Sequence, residues 1–90
     1  MDVEWDRTKA AVNLRKHGVS FDEAASVFLD GLALTGHDPD HSIGEQRFVT
    51  FGMSSTGALL VVFHTVRGSR IRLISARKVT KVERKIYEEG

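Results

Sequence analysis

Three short segments in the second half of the chain, joined by tight turns, constrain the fold more than any other feature. Residues 47–53 alternate in polarity, residues 58–66 form the most apolar run, and residues 70–77 alternate again. The connections over 54–57 and 68–69 are turn-forming and too short for a crossover, so the three strands are predicted to pair antiparallel. The apolar run is predicted to be the central strand, covered on both faces.

The last of these strands combines basic and apolar residues with the period of a half-buried strand. One set of alternate positions holds Arg70, Arg72, Ile74 and Ala76. The other set holds Ile71, Leu73, Ser75 and Arg77. A strand of this kind presents arginines on a sheet surface.

Helices are predicted before and after these strands. Asp6 is a suitable N-cap for a helix that runs to about His17. A serine–glutamate capping box over residues 20–23 opens a second, short helix that extends to about Phe28. A basic amphipathic helix is predicted over residues 78–89.

Two further short strands, over 3–5 and 32–36, complete the predicted order of elements. The fold class that follows is α+β, with an antiparallel β-sheet flanked by two N-terminal helices and a C-terminal helix. A chain of 90 residues is predicted to form one domain over residues 1–90.

The composition excludes several classes of site. The sequence has no cysteine, so it offers no disulfide, no thiolate metal site and no cysteine nucleophile. Its start is acidic, unlike a secretory signal, and its longest apolar run is far too short to span a membrane. We therefore expect a cytoplasmic protein with no membrane contact.

Charge is strongly separated along a chain whose formal net charge is only +1. Residues 18–66 carry one arginine against six acidic residues, whereas residues 67–90 carry eight lysines and arginines against three glutamates. A cationic strand followed by a cationic helix suits a polyanion. The alternative is that these arginines simply solvate an exposed strand and helix.

Lys16 and His17 form the first cluster that could support acid–base chemistry. A cation and an imidazole at the end of a helix interact favourably with its dipole, which alone accounts for them. The functional alternative is that His17 shuttles a proton near neutral pH.

Glu45 and Arg47 form a second cluster, on a loop that enters a strand. Two residues apart in a strand they share a face, so they either form an ion pair or act as a general base and a phosphate ligand. Four nearby residues resemble metal ligands only weakly: His37, Asp38, Asp40 and His41. We predict no metal site and no cofactor.

The third cluster lies on the last strands and the last helix. His64 interrupts an apolar strand, which favours a hydrogen-bonded core histidine over a catalytic one. Arg84 and Tyr87 are three residues apart and share a helix face. Tyr87 is predicted either to pack this helix or to stack on a base.

These residue types are sufficient for one reaction on a polyanion. The sequence has no phosphate-binding glycine loop, nucleophile elbow or zinc-finger spacing. RNA can attack its own phosphate through the 2′-hydroxyl, which requires a base, cations for the developing charge and an acid for the leaving oxygen. The sequence permits metal-independent RNA cleavage without specifying it.

A further set of residues runs in order along the chain: Glu4-Trp5-Asp6, Lys9, Asn13, Lys16-His17-Gly18-Val19, Phe21, residues 38–42, Glu45, Arg47, Ile74-Ser75-Ala76-Arg77, Glu83 and Tyr87. This ordered set resembles the BrnT family of bacterial toxins. The match covers nearly the whole chain in order. Val79 departs from the pattern, which has a small residue there.

The resemblance implies the toxin half of a type II toxin–antitoxin system, with a fold similar to the RelE-like ribonucleases. It also implies RNA cleavage that inhibits translation. The expected partner is a BrnA-like ribbon-helix-helix antitoxin, and operator DNA is expected to be contacted only through the toxin–antitoxin complex.

Site roles are our own assignment within this resemblance. The catalytic candidates are His17, Glu45, Arg72 and Arg77, with either His17 or Glu45 as general base. The RNA-binding candidates are Lys16, Arg47, Arg70, Arg84 and Tyr87. Two rival functions remain open at this stage: a non-catalytic module that binds RNA or the ribosome, and a degenerate toxin that acts only in autoregulation.

Overall fold

The structure, a computed structural model, describes residues 2–38 and 46–90. The strands are β1 (Asp2–Glu4), β2 (Leu34–His37), β3 (Phe48–Met53), β4 (Leu59–Arg67) and β5 (Arg70–Lys78). The helices are α1 (Arg7–His17), α2 (Phe21–Ser26) and α3 (Lys81–Glu89), with a 3-10 turn at Val27–Leu29 after α2. Every predicted element is present, with shifted ends, and the α+β class is confirmed.

The sheet is mixed, so the prediction of a purely antiparallel sheet was wrong for one strand. Its order is β1-β5-β4-β3-β2. Strands β2 to β5 pair antiparallel as predicted, but β1 runs parallel to β5. Short turns force antiparallel pairing only between consecutive strands, and most of the chain separates β1 from β5.

The helix starts follow the predicted caps in most respects. The Asp6 carboxylate accepts a hydrogen bond from the Lys9 amide at 2.9 Å, and Gly18 ends α1 with φ of 72°. Ser20 caps α2, but Glu23 does not complete the predicted box because its carboxylate accepts hydrogen bonds from hydroxyls of the β3–β4 turn. Helix α3 begins three residues later than predicted.

The core lies between α1, α2 and one face of the sheet. Its buried members are Val19, Phe21, Ala24, Val27, Leu60, Val62, Ile71, Leu73 and Ala76. Trp5 closes one side through an edge-to-face contact with Phe21, at 6.0 Å between ring centroids. Gly52 allows the 3-10 turn to approach β3, since a Cβ there would lie 2.6 Å from the Val27 Cγ1.

A β-bulge at Ile74 changes the strict alternation of β5. Ser75 pairs with Phe63 and Leu73 pairs with His64, so Ile74 is the extra residue. The bulge reverses the side on which later residues lie. Ala76 therefore enters the core, and Arg77 lies on the same face as Arg72, contrary to the alternation expected from the sequence.

Asn13 of α1 completes the edge of β5 beyond the end of β1. Its side-chain amide donates to the carbonyls of Ala76 at 2.9 Å and Val19 at 3.0 Å, and its oxygen accepts from the Ala76 amide at 3.0 Å. A buried carboxamide thus takes the place of a neighbouring strand. This contact fixes α1 beside the bulge.

Candidate functional site

The sheet face opposite α1 and α2 carries a row of arginines. We call it the arginine face and define it by Arg47, Arg67, Arg70, Arg72 and Arg77. Four of these lie on β4 and β5, where Arg67 pairs with Arg70, Arg72 with Thr65 and Arg77 with Val61. Arg47 precedes β3 and, by alternation from Val49 opposite Phe63, lies on the same side. The fold thus brings together four predicted site residues from two separate segments.

Arg77 is held by a two-point ion pair with Glu83 of α3. Its Nη1 lies 2.8 Å from Oε1 and its Nη2 lies 3.0 Å from Oε2 of the glutamate. Nη1 also donates to the carbonyl of Lys78 at 3.3 Å, and the guanidinium lies over the ring of Phe63, 5.7 Å from its centroid. These contacts fix the guanidinium plane.

The Glu83 carboxyl is ionised near neutral pH. The hydrogen bond from Arg77 lowers the pKa of Glu83 to about 2, against the opposing effect of burial. The same hydrogen bond raises the pKa of Arg77. A carboxylate with so low a pKa is a poor general base near neutral pH, so Glu83 acts as a positioning residue for Arg77.

One edge of the Arg77 guanidinium is not used by these partners, and the side chain is 34% exposed. Glu83 and Lys78 use the Nη1 and Nη2 hydrogens. The edge formed by Nε–H and the second Nη2–H makes no hydrogen bond within residues 2–38 and 46–90. Two parallel N–H groups match two oxygens of one phosphate.

Glu4 organises the other end of the arginine face. Its carboxylate binds Arg72 at 2.8 Å and lies 3.5 Å from Arg70. The parallel pairing of β1 with β5 places it there, opposite Arg72. Carboxylates therefore belong to this face together with the arginines, because Glu4 binds Arg72 at one end and Glu83 binds Arg77 at the other.

The two candidates on α3 differ in their surroundings. Tyr87 donates its hydroxyl to Asp30 Oδ2 at 2.7 Å. The same oxygen accepts from the Met53 amide at 2.8 Å. The hydrogen bond to Asp30 raises the pKa of Tyr87. The pKa of Asp30 is lowered mainly by the hydrogen bond from the Met53 amide and then by the one from Tyr87. Tyr87 therefore tethers α3 to the sheet, whereas Arg84 is exposed and lines a depression with Lys78.

Lys16 and His17 end α1 and line a cleft beside the bulge of β5. Lys16 is exposed and His17 is half-buried. The cleft also includes Ile74 and Ser75. Ser75 neighbours the arginine face because it pairs with Phe63, whose ring supports Arg77. The two predicted clusters therefore lie on adjoining surfaces.

Glu45 lies outside the described residues. Asp40 and His41, two of the four residues that weakly resemble metal ligands, lie outside them as well. Arg47 is half-buried, and its carbonyl accepts from the Asp38 amide at 2.9 Å. Within the described part of the chain, no three His, Asp or Glu side chains come together in a way that could hold a metal ion.

The site also contains Glu4, Arg67 and Glu83, to which the sequence reasoning assigned no role. Glu83 appeared there only as part of the family resemblance. The sequence could have indicated a structural role for Glu83, because Thr80 and Glu83 have the spacing of a capping box. The structure shows both reciprocal bonds of that box. The same carboxylate both starts α3 and orients Arg77.

His64 faces the helices and is separate from the arginine face. It is 3% exposed, its Nε2 lies 2.8 Å from Thr50 Oγ1, and its ring lies between Phe28 and Phe48. Burial lowers the pKa of His64 to about 4. This environment supports the interpretation as a core histidine.

We expect His64 to make the protein less stable in mild acid. Between about pH 6.5 and 4 the unfolded chain binds a proton at this site and the folded chain does not, so stability falls as pH falls. The slope for one group reaches about 1.4 kcal/mol per pH unit. Urea unfolding at several pH values measures it, and H64L should flatten the curve in this window. A curve unchanged by H64L would contradict this assignment.

Comparisons with known proteins identify the family of the chain. The family model of the BrnT ribonuclease toxin of type II toxin–antitoxin systems matches residues 5–83. The chain belongs to the BrnT family. The crystal structure of the Brucella abortus ribonuclease toxin BrnT superposes with a TM-score of 0.67, at 24% identity, over 90% of this chain and 99% of that one. That likeness shows the BrnT fold.

Two negative findings accompany these matches. A sequence comparison with curated proteins found none that matches. No helix in the described part of this BrnT-family chain is long and apolar enough to cross a membrane.

Proposed function

We propose that this BrnT-family toxin is a metal-independent endoribonuclease that cleaves RNA on the arginine face. The observation that carries the proposal is the geometry of Arg77. Glu83 and Phe63 fix its guanidinium, and among the described residues the Nε–H and the second Nη2–H have no hydrogen-bond partner. A preorganised fork of this kind can stabilise the charge that develops on phosphate oxygens in the transition state.

The reaction proposed is attack of the 2′-hydroxyl on the adjacent phosphate. The hydroxyl loses its proton to a general base, the new O–P bond forms, and the 5′-oxygen leaves with a proton from an acid. The products are a 2′,3′-cyclic phosphate and a 5′-hydroxyl. Arg77 and Arg72 would hold the phosphate oxygens, and Arg47 and Lys16 would add charge stabilisation.

The remaining roles combine the sequence candidates with the positions of those residues that the structure describes. His17 and Glu45 are the candidate bases, and His17 lies on the surface that adjoins the arginine face through Ser75. Arg70 and Arg84 would bind flanking phosphates. For Tyr87 the hydroxyl contact with Asp30 favours packing of α3 over stacking on a base.

The proposed role in the cell follows from membership of a toxin family. A type II toxin acts with an antitoxin, and we propose a BrnA-like ribbon-helix-helix protein in that role. RNA cleavage would inhibit translation in the cytoplasm. Operator DNA would be bound only through the toxin–antitoxin complex, with the ribbon-helix-helix antitoxin making most of the DNA contacts.

We expect E83Q to lower the turnover number for RNA cleavage by about tenfold while changing KM by less than about twofold. The glutamine oxygen can accept one of the two hydrogen bonds, but its NH₂ group faces a cationic donor, so the Arg77 fork loses its fixed orientation. Single-turnover and steady-state kinetics separate these parameters. An unchanged turnover number would contradict the positioning role, and an increased one would show that Glu83 restrains Arg77.

The proposed reaction is tested by cleavage of a labelled RNA in EDTA without ribosomes. The matched substrate carries a 2′-deoxy nucleotide at the position before each cleaved bond. We expect discrete fragments with cyclic phosphate ends from the RNA and none at the deoxy positions. Cleavage of the deoxy substrate, or cleavage that requires a divalent ion, would overturn the proposed mechanism. Binding of intact RNA without new ends would favour the non-catalytic module.

A further inference from the structure

The cleft between α1 and the bulge of β5 contains Lys16 and His17, and it also presents Lys9 and apolar side chains to which the proposed chemistry gives no role. It has a volume of about 270 Å³. From α1 it receives Lys9, Val12 and Lys16, which are three and four residues apart and so share a helix face. From β5 it receives Ile74 and Ser75.

The cleft is built by two features described above. The bulge makes Ile74 an unpaired residue of β5, half-buried at the cleft. Asn13 fixes α1 at a set distance from this strand through its two bonds to Ala76. The cleft therefore has rigid walls.

The exposure of Val12 indicates which kind of ligand the cleft could bind. It is 45% exposed although it is large and apolar. It lies between two exposed lysines of the same helix face, Lys9 and Lys16. An apolar surface bordered by cations matches a nucleotide, because the base has a flat apolar face and its phosphate is anionic.

The size and position of the cleft select one nucleotide over a protein segment. Its volume lies just below the roughly 300–1,000 Å³ typical of sites for drug-sized ligands, which suits one base rather than a helix or strand. Ser75 belongs to the cleft and lies beside the Phe63–Arg77 contact. A base in the cleft is thus next to a phosphate on the arginine face.

We propose that this cleft is a base-binding subsite that holds the nucleobase flanking the scissile phosphate, with Val12 and Ile74 against the base and Lys9 and Lys16 near its phosphate. The inference rests on the proposed function, because it takes the neighbouring arginine face as the site of the reacting phosphate. It goes beyond that function by assigning the position of a base.

The test is a titration of the ¹⁵N-labelled full chain with AMP, GMP, CMP and UMP, followed through the backbone amide signals. Inorganic phosphate and the free nucleosides are separate arms. We expect at least one nucleotide to shift the amide signals of Val12 and Ile74, and phosphate alone to leave them unshifted. Equal shifts with phosphate alone, or no shift at these residues with any nucleotide, would overturn the base-binding subsite.

Two variants and one matched control sharpen the test. V12E places a carboxylate where the base and phosphate bind and should weaken nucleotide binding at least about tenfold. V12F should strengthen it by adding an aromatic surface. L14E changes an exposed residue of the same helix that does not line the cleft, and should alter binding less than about twofold. Equal effects of V12E and L14E would overturn the inference.

The outcomes separate this inference from the proposed function. Normal cleavage by a folded R77K protein, with nucleotide binding in the cleft intact, would refute the catalytic proposal and leave the cleft as a nucleotide site. RNA cleavage that is lost in R77K but unaffected by V12E, with no nucleotide in the cleft, would refute the subsite and leave the catalytic proposal standing.

Discussion

Replacing Arg77 with lysine should lower the rate of RNA cleavage by about 10²- to 10³-fold, while the protein stays folded. Lysine keeps the positive charge beside Glu83 but lacks the planar fork that presents two N–H groups to one phosphate. The loss should appear in single-turnover rates at saturating enzyme. Circular dichroism and urea unfolding check that the fold is retained.

Arg15 provides the matched control for this change. It is exposed in the last turn of α1 and lies outside both the arginine face and the cleft. R15K should therefore leave the cleavage rate within about twofold of wild type. Equal rates for R77K and R15K would remove Arg77 from the catalytic site.

Replacing Asn13 with alanine should lower the free energy of unfolding by about 2–4 kcal/mol. The change removes three hydrogen bonds of 2.9–3.0 Å and leaves the Ala76 amide, the Ala76 carbonyl and the Val19 carbonyl without that partner in a buried region. The urea midpoint should fall, with little change in the slope of the transition.

Leu14 is the control for the Asn13 change, since it neighbours Asn13 on α1 and is 52% exposed. L14A should alter the free energy of unfolding by about 0.5 kcal/mol or less. If N13A and L14A destabilised the protein equally, the carboxamide would not be completing the edge of β5. The structural role assigned to Asn13 would then be wrong.

The local elements could be read from the sequence because their signals are local. The Asp6 and Ser20 caps and the Gly18 stop depend on side chains within three residues of the backbone groups they satisfy. The antiparallel pairing of β3, β4 and β5 was predicted for a similar reason, because the short connections between them leave few alternatives. Glu23 shows the limit, since distant hydroxyls at Ser54 and Thr56 compete for its carboxylate.

The features that build the site are long-range and could not be read in this way. The pairing of β1 with β5 joins Glu4 to Arg72 across most of the chain. The bulge at Ile74 depends on how β5 pairs with β4, and the alternation of residues along one strand does not predict it. Sequence reasoning therefore named Arg72 and Arg77 as candidates without predicting that they share a face.

The charge pattern predicted the kind of ligand better than the arrangement of the site. The concentration of arginines near the C-terminus pointed to a polyanion, and the structure gathers four of them with Arg47 on one face. The acidic partners were not predicted as such. Glu4 and Glu83 neutralise part of the charge and fix two guanidinium groups, so the face is ordered as well as cationic.

The most direct test of the catalytic account is the side-chain Nε–H resonance of Arg77 during titration with a short RNA that carries 2′-deoxy nucleotides and cannot be cleaved by 2′-hydroxyl attack. We predict a large shift of this resonance and protection of the proton from exchange, because the Nε–Nη2 edge receives the phosphate while Glu83 stays bound at the adjacent Nη1–Nη2 edge. Binding of the RNA with an unchanged Arg77 resonance would contradict the proposal that Arg77 binds the reacting phosphate.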